Sequence, residues 1–278
     1  MVLPQPQAIA VNGVNLCYFE WGRADAPVII CLHSHTAHAG IWDEFGPYMS
    51  DAYHVYALDQ RGHGDSSWAD GSYDRDRYVE DLTAFMEALL IKKAILIGSS
   101  MGGWNSLLYA AANPDAIERI VLVDIGPEPS LAPGGVAPVR PPRPLEFDSF
   151  DVAFEYSRSD NPWPTGERLR ADLRRKLRQD ESGKLRWKAD TLLFTVPLAD
   201  MQDEALIARY WDAIASIPCP ILEIRGEESA LVSDAVVSKM KETAINFECI
   251  DVPGAGHVVS LDKPEAFNMV VGKWIAGS

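Results

Sequence analysis

Ser100 stands in Gly98-Ser99-Ser100-Met101-Gly102, directly after the apolar run Ala94 to Ile97 and directly before helix-like sequence. A serine on a sharp strand-to-helix turn has its Oγ pushed clear of the sheet, and small residues two before and two after it keep the crowded backbone from clashing. Gly98 and Gly102 occupy those places, so Ser100 is a candidate nucleophile toward a carbonyl carbon. The pentapeptide alone also reads as an ordinary glycine-rich connection. A serine hydroxyl is a weak nucleophile at neutral pH; it needs a base within hydrogen-bond reach, and the base needs an acid to hold its tautomer and stabilise its charged form. His257, in Val252-Pro253-Gly254-Ala255-Gly256-His257 after the last apolar run, is the candidate base, the plainer reading being a surface-loop histidine.

The other histidines are His33, His35, His38, His54 and His63. The spacing of His33, His35 and His38 could suggest a metal, but no carboxylate motif accompanies the three, and no metal is expected. A loop after the first central strand has another use: its backbone N–H, with that of the residue after the nucleophile, can form an oxyanion hole. The pair would be His35 and Met101, each donor contributing about 3 kcal/mol of transition-state stabilisation.

These groups need a scaffold. Ala8 to Val11 and Val14 to Phe19 flank Asn12-Gly13, a dipeptide suited to a tight hairpin. The runs Pro27 to His33, His54 to Asp59, Ala94 to Gly98, Arg119 to Asp124, Pro220 to Arg225 and Phe247 to Val252 are apolar enough for strands covered on both faces. Helix-period segments lie between them, clearest from Arg77 to Leu90, with Tyr78, Leu82, Phe85, Met86, Leu89 and Leu90 on one face. Strand alternating with helix predicts an α/β fold: a mostly parallel sheet, helices on both sides and a site at the carboxyl ends of the strands. The alternation breaks between Gly126 and Ile217, where Pro127 to Pro129, Pro133 to Gly135 and Pro138 to Pro144 precede polar, helix-like sequence. That stretch is expected to be an inserted lid. Its Arg168 to Arg178 run is most simply an exposed helix face. Tyr156, Trp163, Trp187 and Phe194 either shape an apolar pocket or pack lid on core.

Length and composition agree with one such domain carrying an insertion: 278 residues, 47% hydrophobic. A formal net charge of -15 works against nucleic acid and anionic membrane as partners, leaving a small-molecule substrate. A homo-oligomer is left open. No run approaches a membrane span, and Met1 to Pro6 lacks the pattern of a signal peptide, so a cytoplasmic location is expected. Cys17, Cys31, Cys219 and Cys249 contain no C-x-x-C pair and are expected to be free thiols, mostly buried.

Gly98 to Gly102, the His33 loop, Asp59-Gln60-Arg61-Gly62-His63-Gly64-Asp65-Ser66 and the Gly254 to His257 loop, in this order, resemble the α/β-hydrolase family. The similarity runs from about Ala8 to Ala276, the lid excepted. It implies an α/β-hydrolase core of residues 1–126 and 217–278, a helical lid at 127–216, and the order nucleophile, acid, histidine. The Asp59 to Ser66 loop is then architectural. Two places depart from the family's pattern. The usual His-Gly pair is His33-Ser34, and no aspartate stands between Gly226 and Ser233, where most members carry the acid. Glu227 and Glu228 remain there, with Glu228 the alternative acid. The favoured acid is Asp124, at the end of the strand following the elbow helix, a position some hydrolases of this fold use. The resemblance implies a cofactor-independent serine hydrolase acting on a small ester, lactone or amide, in breakdown of a ring compound. Two rivals stay open: a cofactor-free dioxygenase of the same fold acting on a hydroxylated heteroaromatic, and a non-catalytic small-molecule receptor.

Overall fold

A computed structural model describes residues 4–70, 73–128, 130, 143–194 and 203–277. Eight strands form one sheet: β1 (Gln7–Val11), β2 (Val14–Trp21), β3 (Val28–Leu32), β4 (His54–Leu58), β5 (Ala94–Ser99), β6 (Ile117–Val123), β10 (Ile221–Gly226) and β11 (Phe247–Val252). The small strands β7 (Glu146–Phe147), β8 (Leu177–Gln179) and β9 (Leu185–Trp187) form a second sheet. The large sheet has the order β1-β2-β4-β3-β5-β6-β10-β11. Its first two pairings are antiparallel and every pairing from β4 to β11 is parallel. Asn12 (φ 46°) and Gly13 (φ 77°) close the opening hairpin, with Val11 opposite Val14, as their types predict.

Side chains alternate between the two faces, with one slip in β6, where Ile117 and Ile120 join the same cluster across a register shift. Ile30, Leu32, Leu58, Leu96, Ile120, Leu122 and Ile221 pack against α2 (Arg75–Ala88), α3 (Met101–Ala112), α6 (Glu204–Ser216) and α7 (Asp234–Thr243). Ile29, Cys31, Val55, Ile97, Val123 and Ile224 face α1 (Phe45–Met49), α8 (Val259–Asp262) and α9 (Pro264–Ala276). Each fully buried aliphatic or aromatic chain contributes about 1.5–3 kcal/mol. One expectation for α2 fails: the helix stops at Ala88, and Leu90 is 76% exposed because it takes the left-handed turn (φ 57°) that ends the helix. Cys17, Cys31 and Cys219 are buried free thiols and Cys249 is half-buried. Among the described residues, no helix is long and apolar enough to cross a membrane.

Between β6 and β10 the chain builds α4 (Phe150–Asp160), α5 (Gly166–Lys176) and the antiparallel sheet β7-β9-β8 around Phe147, Ala153, Leu173, Leu177 and Trp187. We refer to this unit as the cap. The proline-rich stretch at 129 and 131–142 lies outside the described residues. Arg168, Asp172 and Arg175, at helical spacing on α5, face the large sheet's domain. Arg168 binds Glu44 at 2.9 Å and also Glu265, Arg175 binds Asp43, and Asp172 receives His38 Nε2 at 3.0 Å. Arg170 and Arg174 instead lie over Phe154 and Phe150 of α4. The arginine run is thus a docking element rather than an exposed face. The helix α6, also within 127–216, packs on α3, with Tyr210 stacked on Trp104.

Candidate active site

Ser100 follows β5 with φ 50° and ψ -114°, a backbone that L-residues rarely adopt. Its N–H donates to Val123 O at 3.0 Å, and its carbonyl accepts from Gly103 and Trp104, which start α3. Both flanking glycines are required. A Cβ on Gly98 would lie 2.3 Å from Gly102 O, and one on Gly102 would lie 2.3 Å from Leu32 O. Ser99 pairs with Val123, so the next residues on two adjacent strands are Ser100 and Asp124. Asp124 is left-handed as well, at φ 54°.

Asp124 is 0% exposed, and its Oδ2 lies 2.7 Å from Nδ1 of His257. The carboxylate accepts, so Nδ1–H donates to it, and in the neutral tautomer this contact selects, the lone pair is on Nε2. Asp124 Oδ1 accepts from Gly226 N–H at 3.2 Å, and Oδ2 also accepts from the Ser229 hydroxyl at 2.5 Å. Glu227 and Glu228 are both exposed, and Glu227 accepts from Gly254 N–H. Among the described residues no hydrogen bond joins Ser100 Oγ to His257; such bonds are often long without substrate and tighten around it. Glu223, fully buried on β10, accepts from Ile125 N–H at 3.1 Å. Burial, reinforced by the charge of Asp124, raises its carboxyl well above the usual range and favours its neutral form.

On the other side of Ser100, Ala37 N–H donates to Ser34 O at 3.0 Å, closing a turn over His35 and Thr36. The left-handed residue is Thr36 (φ 57°), and Ser34 needs no positive φ, so serine replaces the usual glycine without strain. Arg143 donates to Thr36 Oγ1 at 2.7 Å and steadies that turn. Met101 opens α3, so its N–H has no acceptor inside the helix. His35 Nε2 meets Leu193 O of the cap at 2.7 Å. Burial, with added repulsion from Arg75 and Arg143, lowers His35 to about 4 against the pull of that carbonyl, so its ring is neutral and Nε2–H donates.

His33 accepts from Gln60 N–H through Nε2 and donates from Nδ1 to Ser34 O, and burial lowers it to about 3. Its two nitrogens are thus committed to holding the loop. Gln60 reaches on to Asn105 of α3, and Arg61 forms a two-pronged pair with Asp81, which gives the Asp59 to Ser66 loop its bracing role.

The cap closes over this edge. Trp163 lies directly against Gly256, beside His257. Asn161 donates to Asp262, whose other oxygen accepts from Gly256 N–H at 2.9 Å. Burial pushes Asp262 up to about 6. Tyr156, Trp187 and Phe194 belong to the cap's own aromatic cluster. Sequence reasoning missed Glu223, Ser229 and Asp262. Glu223 had left a signal, a carboxylate inside an otherwise apolar strand; the other two look like ordinary polar loop residues.

The three-layer sheet, the serine turn and the His257 to Asp124 pair define an α/β hydrolase. Residues 27–264 match the family model for the alpha/beta hydrolase fold, and the chain belongs to that family. It is 27% identical to an esterase of Mycobacterium tuberculosis over 96% of this chain and 89% of that one. It is 29% identical to 2-(acetamidomethylene)succinate hydrolase of Mesorhizobium japonicum over 87% and 86% of the two chains. The crystal structure of an E-2-(acetamidomethylene)succinate hydrolase superposes with a TM-score of 0.84 at 24% identity, covering 98% of this chain and 99% of that one.

Proposed function

We propose that the chain is a serine hydrolase in which Ser100 attacks the substrate carbonyl and is acylated. His257 Nε2 takes the serine proton and returns it to the leaving group, while Asp124 holds the imidazole and stabilises its charged form. The N–H groups of His35 and Met101 bind the developing oxyanion. Water then repeats the sequence on the acyl-enzyme. The observation that carries this reading is the 2.7 Å bond from His257 Nδ1 to buried Asp124, on the strand end next to a left-handed Ser100. A p-nitrophenyl ester tests it: turnover with a burst of nitrophenol equal to the enzyme concentration is expected. Oxygen uptake with a hydroxyquinolone and no ester cleavage would overturn it in favour of a dioxygenase, and binding without any turnover would favour a receptor.

The substrate is a small ester, lactone or amide, as the esterase and hydrolase relatives suggest. Arg143 narrows the class. Its guanidinium is fixed over Trp187 and Phe194 at 5.4 and 5.2 Å, bonds the turn that carries His35, and has Asp160 at 4.0 Å. An oriented cation there suits an acyl or leaving group bearing a carboxylate, as a succinate derivative does. The enzyme should prefer a p-nitrophenyl hemisuccinate to the acetate, and Arg143→Met, which also loosens the His35 turn and so slows both esters, should erase about tenfold of that preference through KM. An unchanged ratio in the variant removes Arg143 from recognition.

A further inference from the structure

We propose that Ser229 is a positioning residue for Asp124, its hydroxyl fixing the carboxylate that holds His257. The inference rests on the triad reading above. Ser229 Oγ and His257 Nδ1 converge on one atom, Asp124 Oδ2, at 2.5 and 2.7 Å, while Gly226 N–H takes Oδ1. Leu231 N–H donates to Ser229 Oγ at 3.3 Å, so the hydroxyl's lone pair is engaged and its proton is free to point at the carboxylate. With donors on both oxygens the plane of the carboxylate is fixed; the imidazole alone would leave it free to rotate about its side-chain bond.

The turn that presents Ser229 is tied to the loop that presents His257. Ser229 N–H closes on Gly226 O at 3.0 Å, Glu228 N–H donates to Ala255 O at 2.9 Å, and Glu227 N–H donates to Val252 O at 3.2 Å. Base and hydroxyl are therefore held at one spacing, and Asp124 enters between them from the neighbouring strand. A carboxylate at residue 229 would repel Asp124, and a hydroxyl donates to it instead, so a serine suits the place.

Ser229→Ala is expected to lower kcat about 10- to 100-fold, the loss of one charge-assisted hydrogen bond, with KM nearly unchanged. Ser229→Thr, which keeps the hydroxyl, should restore most of that loss. Ser229→Cys, similar in size but a weak donor, should behave like the alanine variant and separates donation from packing. Wild-type kcat in both Ser229→Ala and Ser229→Cys overturns the positioning role. Fluorophosphonate labelling keeps the two readings apart. A wild-type chain that neither labels nor hydrolyses esters fails the triad reading itself, whereas a labelled, active wild type with indifferent Ser229 variants fails this inference alone.

Discussion

Ser100→Ala is expected to abolish covalent labelling by a fluorophosphonate and to lower ester turnover by about a millionfold. The size follows from the site's construction. Ser100 is held in a conformation that L-residues avoid, between two glycines that cannot carry a Cβ, and that strain of about 1–3 kcal/mol is tolerated only because the fold over-determines it. Alanine fits the same backbone, so the variant should fold and still bind substrate through the cap and the oxyanion N–H groups. Labelling that survives the substitution, with mass spectrometry placing the adduct on another residue, would remove Ser100 as nucleophile.

Asp124→Asn should cost about 10⁴-fold in kcat while Glu228→Gln changes it by less than about twofold. The asparagine must serve three donors, Gly226 N–H, Ser229 O–H and His257 Nδ1–H, with one carbonyl oxygen and an amino group that cannot accept. It therefore favours the wrong tautomer of His257 and places a lone pair where the proton belongs. Glu228 is exposed, and its contact with the His257 loop runs through its backbone N–H, which a glutamine keeps. Paired kinetics on the two variants, with circular dichroism to confirm folding, decide the matter. The reverse ranking would move the acid to the β10 loop.

The central strands of the large sheet were legible because strands buried on both faces must be apolar throughout, and four of the six runs lead into a loop of the candidate site: His33, Asp59, Ser99 before Ser100, and Asp124; β11, at the sheet's edge, is only partly buried. The hairpin was legible from Asn12-Gly13 because few other dipeptides accept two positive φ values. The cap's small sheet was not, since strands of two or three residues such as Glu146–Phe147 are too short to show a period. Leu90 was misread because it continues the apolar period of α2 by one residue while the backbone has already turned. The arginines of α5 were misread because their partners Asp43, Glu44 and Glu265 lie far away in sequence. In the candidate site, residue types singled out Ser100 and His257, and the absence of an aspartate after Gly226 directed attention to Asp124, the residue that His257 Nδ1 meets. Ser229 stayed hidden because its value lies in a bond to a residue on another strand, and the Thr36 turn because a β-branched residue is a poor candidate for positive φ.

Glu223 bears on the charge inventory of the proposed reaction. Burial and the charge of Asp124 both favour its neutral form, which concentrates the negative charge at the buried ends of β6 and β10 on Asp124. In the proposed reaction the serine proton passes to His257, an imidazolium and an oxyanion arise together, and the sum over Asp124, His257 and the reacting centre stays at minus one. For an uncharged substrate each later proton transfer leaves that sum the same. The interior therefore redistributes charge over a few ångströms without ever changing its total, and turnover needs no counter-ion to enter or leave with each cycle.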